Sequence, residues 1–566
     1  TQLFMMLFIR NNFLFVFIPL LLLYGCGAGL GNRAAKNNQV QTDSSLIEPA
    51  SVNNLFLDSL AVANFLTKHP EFKNQQEQTW KFYQRRNYQF AWFNNDGITE
   101  QAANFMNMIM NYREEGITDT TIFNPQLKSL YDSLSSGSHI IHSVDPVTTE
   151  TELLLSASFF KYAQQIWGGL GEKELQDVDW FIKQKRLPYV TMLDSMLSNP
   201  QYFSQQKPVY RQYDLLKSQL KKYHEMEQSG AWQLIVADKK SYKTGDSSTV
   251  INAIRKRLFL LGDLTSTDTT GNIYDSTLEI AVKNFQERHG LATDAVIGIS
   301  MITALNVPLS SRIQQIMINM ERSRWVPVQL KGDYLAVNIP EYKLHVYDDD
   351  SLVWECNVVV GSVNNQTVIF NGNMTYIVFS PYWNIPTSII AKEIVPGAKR
   401  NANYIASHNT EVVAGGKVIS PSSVNWSNYS GYNFPYAIRQ KPGPNNSLGR
   451  VKFLFPNNYS IYLHDTPSKS LFNEPARAFS HGCIRVGEPA RLAEYLLRND
   501  SLWTPEKIAP AMNSTKETTV TLKTPVPVFI AYFTAWVDRK GRMNFRNDIY
   551  GHDGRMAKLL FNNPTL

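Results

Sequence analysis

Cys483 ends the string Ser480-His-Gly-Cys483, and His464 stands sixteen residues before Ser480, within Ile461-Tyr-Leu-His464-Asp-Thr-Pro467. A cysteine attacks as its thiolate, and a free thiol titrates near ~8.5, so it needs a neighbouring base or a positive field. His464 is a candidate for that base, because a strand end followed by proline is a rigid platform for an imidazole. Gly482 has no Cβ, which lets substrate or backbone approach beside the sulfur. Consecutive backbone N–H groups around Gly482 and Cys483 could hold the oxyanion formed when sulfur adds to a carbonyl. These residue types point to acyl transfer through a thiol. Cys356, in Trp354-Glu-Cys-Asn-Val358, reads as a small core residue. His345, His408 and His552 are scattered without ligand spacing, so no metal and no cofactor is expected.

A nucleophile and a base so far apart in sequence need a scaffold to bring them together. From Asp333 onward the hydrophobic pattern has period two: Tyr334–Ile339, Tyr342–Tyr347, Val353–Val360, Thr375–Ser380, Lys452–Phe455 and Ile461–His464 read as strands. Residues 488–497 read as a helix with Pro489 in its first turn, and 527–538 as a late β-rich stretch. Between 395 and 446 lies a stretch rich in Gly, Asn, Ser and Tyr without clear period, a length that suits a functional lid or a disordered insertion. Before the strands, Ile251, Ile254, Leu258 and Leu261 make one helical stripe and Leu278, Ala281, Val282 and Phe285 another. A third short helix follows over 299–305, then an amphipathic one through Ile313, Ile316, Met317 and Met320. Earlier still, Leu153, Leu154, Ala157 and Phe160 follow helical spacing in a region without chemical signature.

The chain has 566 residues, 43% hydrophobic and 12% aromatic, enough for several cores. A formal charge of +6 with no long Lys/Arg run argues against nucleic acid as the partner. Three cysteines, Cys26, Cys356 and Cys483, make no disulfide framework. Taking Met5 or Met6 as the start, Arg10 and the apolar run Phe13–Leu23 read as an export signal ending at Gly25-Cys26. That ending resembles a bacterial lipobox in which Cys26 is lipid-modified; a cleaved signal and an uncleaved anchor stay open beside it. Residues 27–53 read as a flexible tether.

At His464 and Ser480-His481-Gly482-Cys483 the sequence resembles an L,D-transpeptidase with a YkuD-type catalytic domain. Phe379-Ser-Pro-Tyr-Trp-Asn-Ile-Pro386, Gly443-Pro-Asn-Asn-Ser-Leu-Gly449 and Tyr462-Leu-His-Asp-Thr-Pro467 resemble the large Gram-negative branch. Residues 246–308, with Ala281-Val-x-x-Phe-Gln286 and Gly290-Leu, resemble a peptidoglycan-binding domain that usually carries Asp-Gly where this chain has Asp294-Ala295. The resemblance implies a multi-domain α+β chain. Its parts are a signal over 1–26, the tether, a helical scaffold over 54–240, the three-helix domain over 246–308, and a mostly β catalytic domain over 331–566 with a lid at 395–446. It implies Cys483 as nucleophile and His464 as base, with the carbonyl of Asp465 orienting the imidazole. His481 and Gly482 would shape the oxyanion pocket, with Ser480 beside them. Arg485 would meet a substrate carboxylate or fasten the cysteine loop, and Tyr382 and Trp383 would belong to the lid over the donor peptide.

The implied reaction is 3→3 cross-linking of peptidoglycan stems through a thioester, with release of D-Ala, and acylation of Cys483 by carbapenems. An L,D-carboxypeptidase, a wall-attachment enzyme and a non-catalytic wall-binding lipoprotein remain as alternatives. The expected setting is a monomer in the cell envelope, in the periplasm and tethered to the membrane at its N-terminus.

Overall fold

The computed structural model describes residues 53–561 apart from 137–140, 143, 200, 206, 268 and 329. The export signal and Cys26 lie outside the described residues. No helix among those described is long and apolar enough to cross a membrane.

The N-terminal region is helical, with one small hairpin of β1 (Phe93–Asn94) and β2 (Gly97–Ile98) and a lone strand β3 (Trp180–Phe181). Its central helix, Pro146–Ala163, starts on Asp145, whose carboxylate accepts from the Thr148 N–H, and Pro146 sits where no N–H is needed. Leu153, Leu154, Leu155, Phe159 and Phe160 are all buried, so this helix is surrounded rather than packed on one face. Within it Glu152 is wholly buried and accepts from the Ala91 and Trp92 N–H groups and the Tyr83 hydroxyl at 2.6, 2.9 and 2.8 Å.

Helices Thr249–Leu261, Ser276–Arg288 and Ile299–Leu305 close on their own core of Ile251, Ile254, Leu258, Leu278, Val282 and Phe285. Ala295 lies in the left-handed region at φ 60°, its N–H held by the Gln286 side chain at 2.9 Å. Helix Leu309–Trp325 follows, and its pattern predicts one buried face. Burial is two-sided: Ile316 and Met320 join the N-terminal core, while Ile318 and Trp325 join the β core. Its polar residues are buried as well, because each is paired: Arg322 with Asp553 at 2.6 Å, Arg324 with Glu321, and Asn319 with Thr534 at 2.8 Å.

The C-terminal region is mostly β. It begins with β4 (Asp333–Asn338), β5 (Lys343–Asp348), β6 (Ser351–Gly361) and β7 (Ile369–Phe379). Then come β8 (Trp383–Asn384), β9 (Thr410–Ala414), β10 (Lys417–Ile419) and β11 (Ala437–Gln440). The last group is β12 (Val451–Leu454), β13 (Leu463–His464), β14 (Ala478–Ser480), β15 (Ile484–Val486), β16 (Thr518–Ala531), β17 (Ala535–Val537) and β18 (Met543–Phe545). The order β12-β13-β15-β6-β5-β4-β16-β7 returns through the β7–β12 pairing to its start, so the strands close on themselves. Leu335, Val337, Leu344, Val346, Val358, Phe453, Leu463 and Ile484 fill the interior. The strand β3 adds to the edge of β7, Trp180 opposite Ile369. The aperiodic stretch belongs to a folded insert that starts at Trp383. It has its own sheet, β10-β9-β11-β8, and its own core of Ile390, Ile394, Val395, Ile405, Val412 and Ile438. Strands of two to five residues are too short to show a period.

Candidate active site

Strand β13 runs parallel to β15, with Leu463 opposite Ile484 and His464 opposite Arg485. Side chains alternate along a strand, so the register sends Leu463, Ile484 and Val486 inward. Tyr462, His464, Cys483 and Arg485 are thereby turned to the outer face together. The parallel pairing exists because the chain between His464 and Ser480 crosses over and returns, so the spacing in sequence becomes adjacency in space.

His464 is 5% exposed. Its Nδ1 lies 2.5 Å from the Asp465 carbonyl, which can only accept, so the proton sits on Nδ1 and Nε2 is left as a base. Burial, and then the Arg485 charge, hold the imidazole down to about 4 against the pull of the Asp465 carbonyl. The ring is therefore neutral at neutral pH. Asp465 acts through its side chain too: its carboxylate accepts from the Arg450 N–H at 2.9 Å and the Thr466 N–H at 2.7 Å, and pairs with Lys469. A Cβ on Gly449, at φ +63°, would meet that carboxylate at 2.4 Å, so only glycine fits there.

Cys483 is half-buried, and its thiol points toward the Ser460 carbonyl at a loose 3.6 Å. Burial pushes the thiol up, while Tyr462 and Arg485 draw it part of the way back. The resting site thus holds a thiol and a neutral imidazole, and ionisation of sulfur belongs to the moment of attack. Asn457 bonds both to the Tyr459 and Ile461 N–H groups and to the Phe455 and Ile461 carbonyls, fixing the loop that carries Ser460. Phe181 of β3 packs against Tyr459 at 5.6 Å.

Gly482 has φ +112°, a conformation other residues rarely adopt. Its N–H donates to the Ser480 hydroxyl at 3.2 Å, and that hydroxyl donates to the Cys483 carbonyl at 2.5 Å. The Gly482 N–H is thereby turned into the loop rather than toward an oxyanion. The Gly482 carbonyl accepts from Thr367, which is held in turn by Tyr550. His481 is exposed. The Arg485 Nε is buried without a partner among the described residues. Tyr382 and Trp383 stand at the root of the insert. The Tyr382 N–H donates to Glu517 at 2.7 Å, its ring lies under Arg439 at 4.2 Å, and Trp383 pairs with Gln440. The wholly buried Asn446 fastens the same root, donating to the Pro381 and Lys441 carbonyls at 3.0 Å each. Sequence reading missed Ser460, Asn457, Thr367 and Tyr550, which reach the site through backbone groups, from more than a hundred residues away as Thr367 does, or at second hand as Tyr550 does through Thr367.

A closed β structure with a thiol and an imidazole on one outer face, joined to a helical region and a small three-helix domain, defines a multi-domain thiol-bearing class. Family models make it particular. Residues 332–554 match YkuD, the "L,D-transpeptidase catalytic domain"; 77–220 match the "Scaffold domain"; and 248–305 match the "Putative peptidoglycan binding domain". The chain carries these three domains in that order along the polymer, scaffold first and YkuD last. A Haemophilus influenzae protein named "Putative L,D-transpeptidase" is 37% identical over 245 residues. The match covers 43% of this chain and about half, 49%, of that relative's length. Solved L,D-transpeptidases from Xylanimonas cellulosilytica and Stackebrandtia nassauensis share 14% and 12% identity. Each covers 52% of this chain and 100% and 97% of its own, at TM-scores of 0.17 and 0.21. At TM-scores that low, the fold rests on the geometry above.

Proposed function

We propose that the chain is an L,D-transpeptidase that forms 3→3 cross-links in peptidoglycan through a thioester on Cys483. The observation that carries this reading is the β13–β15 register, which sets His464 and Cys483 on one face with the imidazole proton fixed on Nδ1. The Cys483 thiol gives its proton to Nε2 of His464 as sulfur adds to the carbonyl of the third residue, a diamino acid, of a tetrapeptide stem. The Cys483 N–H, which has no protein partner among the described residues, is the donor we assign to the oxyanion. The intermediate collapses to a thioester, and the terminal D-Ala leaves with the proton from His464. An amine of a second stem then adds, returns sulfur as the thiol by way of His464, and completes the amide. No ATP is needed, since the thioester keeps much of the peptide bond's free energy. Arg485 keeps His464 neutral and favours the developing thiolate. Ser480 and Gly482 act as positioning residues for the cysteine loop, and the insert rooted at Tyr382 and Trp383 is the proposed cover over the donor peptide. A cover that limits water favours amine over water as acceptor.

Peptidoglycan as the substrate places the chain in the cell envelope, held there by Cys26 or by an uncleaved signal. The test is incubation of the purified chain with disaccharide-tetrapeptides, read by mass spectrometry. Cross-linked dimers with loss of D-Ala are expected. Tripeptides alone would replace transpeptidation with L,D-carboxypeptidation, and no product with intact His464 and Cys483 would remove the enzymatic reading.

A further inference from the structure

Strands β4 and β5 carry a second outward arrangement that acyl transfer does not use. Their register sets Tyr334 against Tyr347, Ala336 against His345 and Asn338 against Lys343. Above the small Ala336 lies a cleft of about 380 Å³. The N-terminal region walls it with Tyr210 and Arg211, the C-terminal hairpin walls it from Trp536 to Arg546, and Glu287 of the three-helix domain stands at its edge.

On the floor, Tyr334 and Tyr347 stack with centroids 4.7 Å apart and planes 10° from parallel. His345 lies between Glu341 at 2.9 Å and Glu355 at 3.2 Å. Burial opposes its charge, but the two carboxylates outweigh burial and raise it to about 9, so the floor compensates its own charges. The rim does not. Arg211 lies among the Tyr210, Tyr334 and Tyr347 hydroxyls, and Arg539 donates only to the Asp350 carbonyl. With Lys540 they are exposed, and none has a carboxylate partner among the described residues. Tyr334 is buried and only Tyr347 is half-buried; a partly open aromatic face suits the C–H surfaces of a sugar or a peptide, and unmatched guanidinium groups suit a carboxylate.

We propose that this cleft is a second polymer-binding site, which takes a carboxylate-bearing sugar–peptide segment on its tyrosine floor and basic rim. The proposal rests on peptidoglycan being the substrate and adds where the polymer is held while Cys483 reacts. Two placements support it. Glu287 makes the cleft continuous with the domain that matches a peptidoglycan-binding family. Along β6, His345 pairs with Glu355 and Arg485 with Val359, so the two sites lie on one outer wall, offset by roughly 13 Å along the strand and by about two strand spacings, roughly 10 Å, across the sheet, or about 16 Å in all. That distance is within the span of one disaccharide-peptide.

The test titrates disaccharide-tetrapeptide into the whole chain carrying Cys483→Ala, so that the probe is not consumed, by calorimetry at low salt. Two sites are expected. Arg211→Gln with Lys540→Gln should weaken one of them by about five- to tenfold and flatten its salt dependence, and Arg211→Lys should retain most of the affinity. Against the parent chain with Cys483 intact, the same pair of substitutions should leave turnover of a sugar-free tetrapeptide within about twofold. A probe with its carboxylates amidated should bind the second site no better than the double variant binds the native probe. A single binding event untouched by the double variant, or equal binding of the amidated probe, overturns the proposal. Failure of the parent chain to turn over any tetrapeptide would instead remove the transpeptidase reading, while the binding isotherms would still decide the cleft.

Discussion

Glu152 in the N-terminal region and His464 in the β region are both buried titratable groups, and burial shifts both away from the charged form. Glu152 is pushed up to about 7, against the pull of the Ala91 and Trp92 N–H groups and the Tyr83 hydroxyl, while His464 is held down to about 4. The difference lies in their partners. Both oxygens of Glu152 are occupied by donors, so its burial fixes the packing of the central helix. His464 has Nδ1 tied to the Asp465 carbonyl, with the Leu448 carbonyl also at its ring, and it shares an outer face with a thiol whose own acceptor is loose. A perturbed pKa marks a buried group; a base placed on the same face as a nucleophile marks a candidate reactive one.

That contrast breaks first at the sulfur. Cys483→Ala should remove acyl transfer by about 10⁴-fold or more while leaving the melting temperature unchanged, with the acyl-enzyme mass absent from spectra. His464→Gln should slow acylation by roughly 10²- to 10⁴-fold, and a burst of D-Ala release measures it. Glu152→Ala should do the opposite. It strands two main-chain donors and a hydroxyl in the core and should cost about 3 kcal/mol in denaturant unfolding, with the folded fraction keeping its rate.

The pH dependence sharpens the comparison further. His464 accepts a proton only when neutral, so the acid limb of the rate profile should fall near about 4, where an ordinary imidazole would place it near ~6.5. Alkylation of Cys483 should keep rising past the usual thiol range, since burial raises the thiol. Between those two imidazole values the unfolded chain binds a proton that the folded chain refuses, so His464 stabilises the fold above the window and loses that contribution as pH falls through it. The smallest effect belongs to Ala295→Gly, which relieves a left-handed alanine and should raise stability by up to about 1 kcal/mol in the same unfolding assay.

Residue types made much of this legible. The Ser480-His-Gly-Cys483 string with His464 upstream named the candidate pair, and period-two stretches named most of the long strands. Helical stripes at 251–261 and 278–285 gave the three-helix domain its first two helices. The insert was not legible, because strands as short as Trp383–Asn384 and Lys417–Ile419 carry no period and a core assembled from four such strands is a tertiary fact. Helix Leu309–Trp325 read as amphipathic because its buried arginines look like a solvated face until Asp553 and Thr534 arrive from elsewhere and Glu321 of the same helix folds back onto Arg324.

By itself, then, the sequence determined which chemistry was on offer: a thiol, an imidazole, a glycine able to take a positive φ, and the strands to carry them. Tertiary structure decided the protonation of that pair and the direction of its donors. Burial and the charge of Arg485 set the imidazole's neutrality, and the Asp465 carbonyl chose its tautomer. The Ser480 hydroxyl took up the Gly482 N–H that the string alone seemed to leave free. Desolvation and hydrogen-bond direction depend on what surrounds a group in space, and no spacing along a chain encodes them.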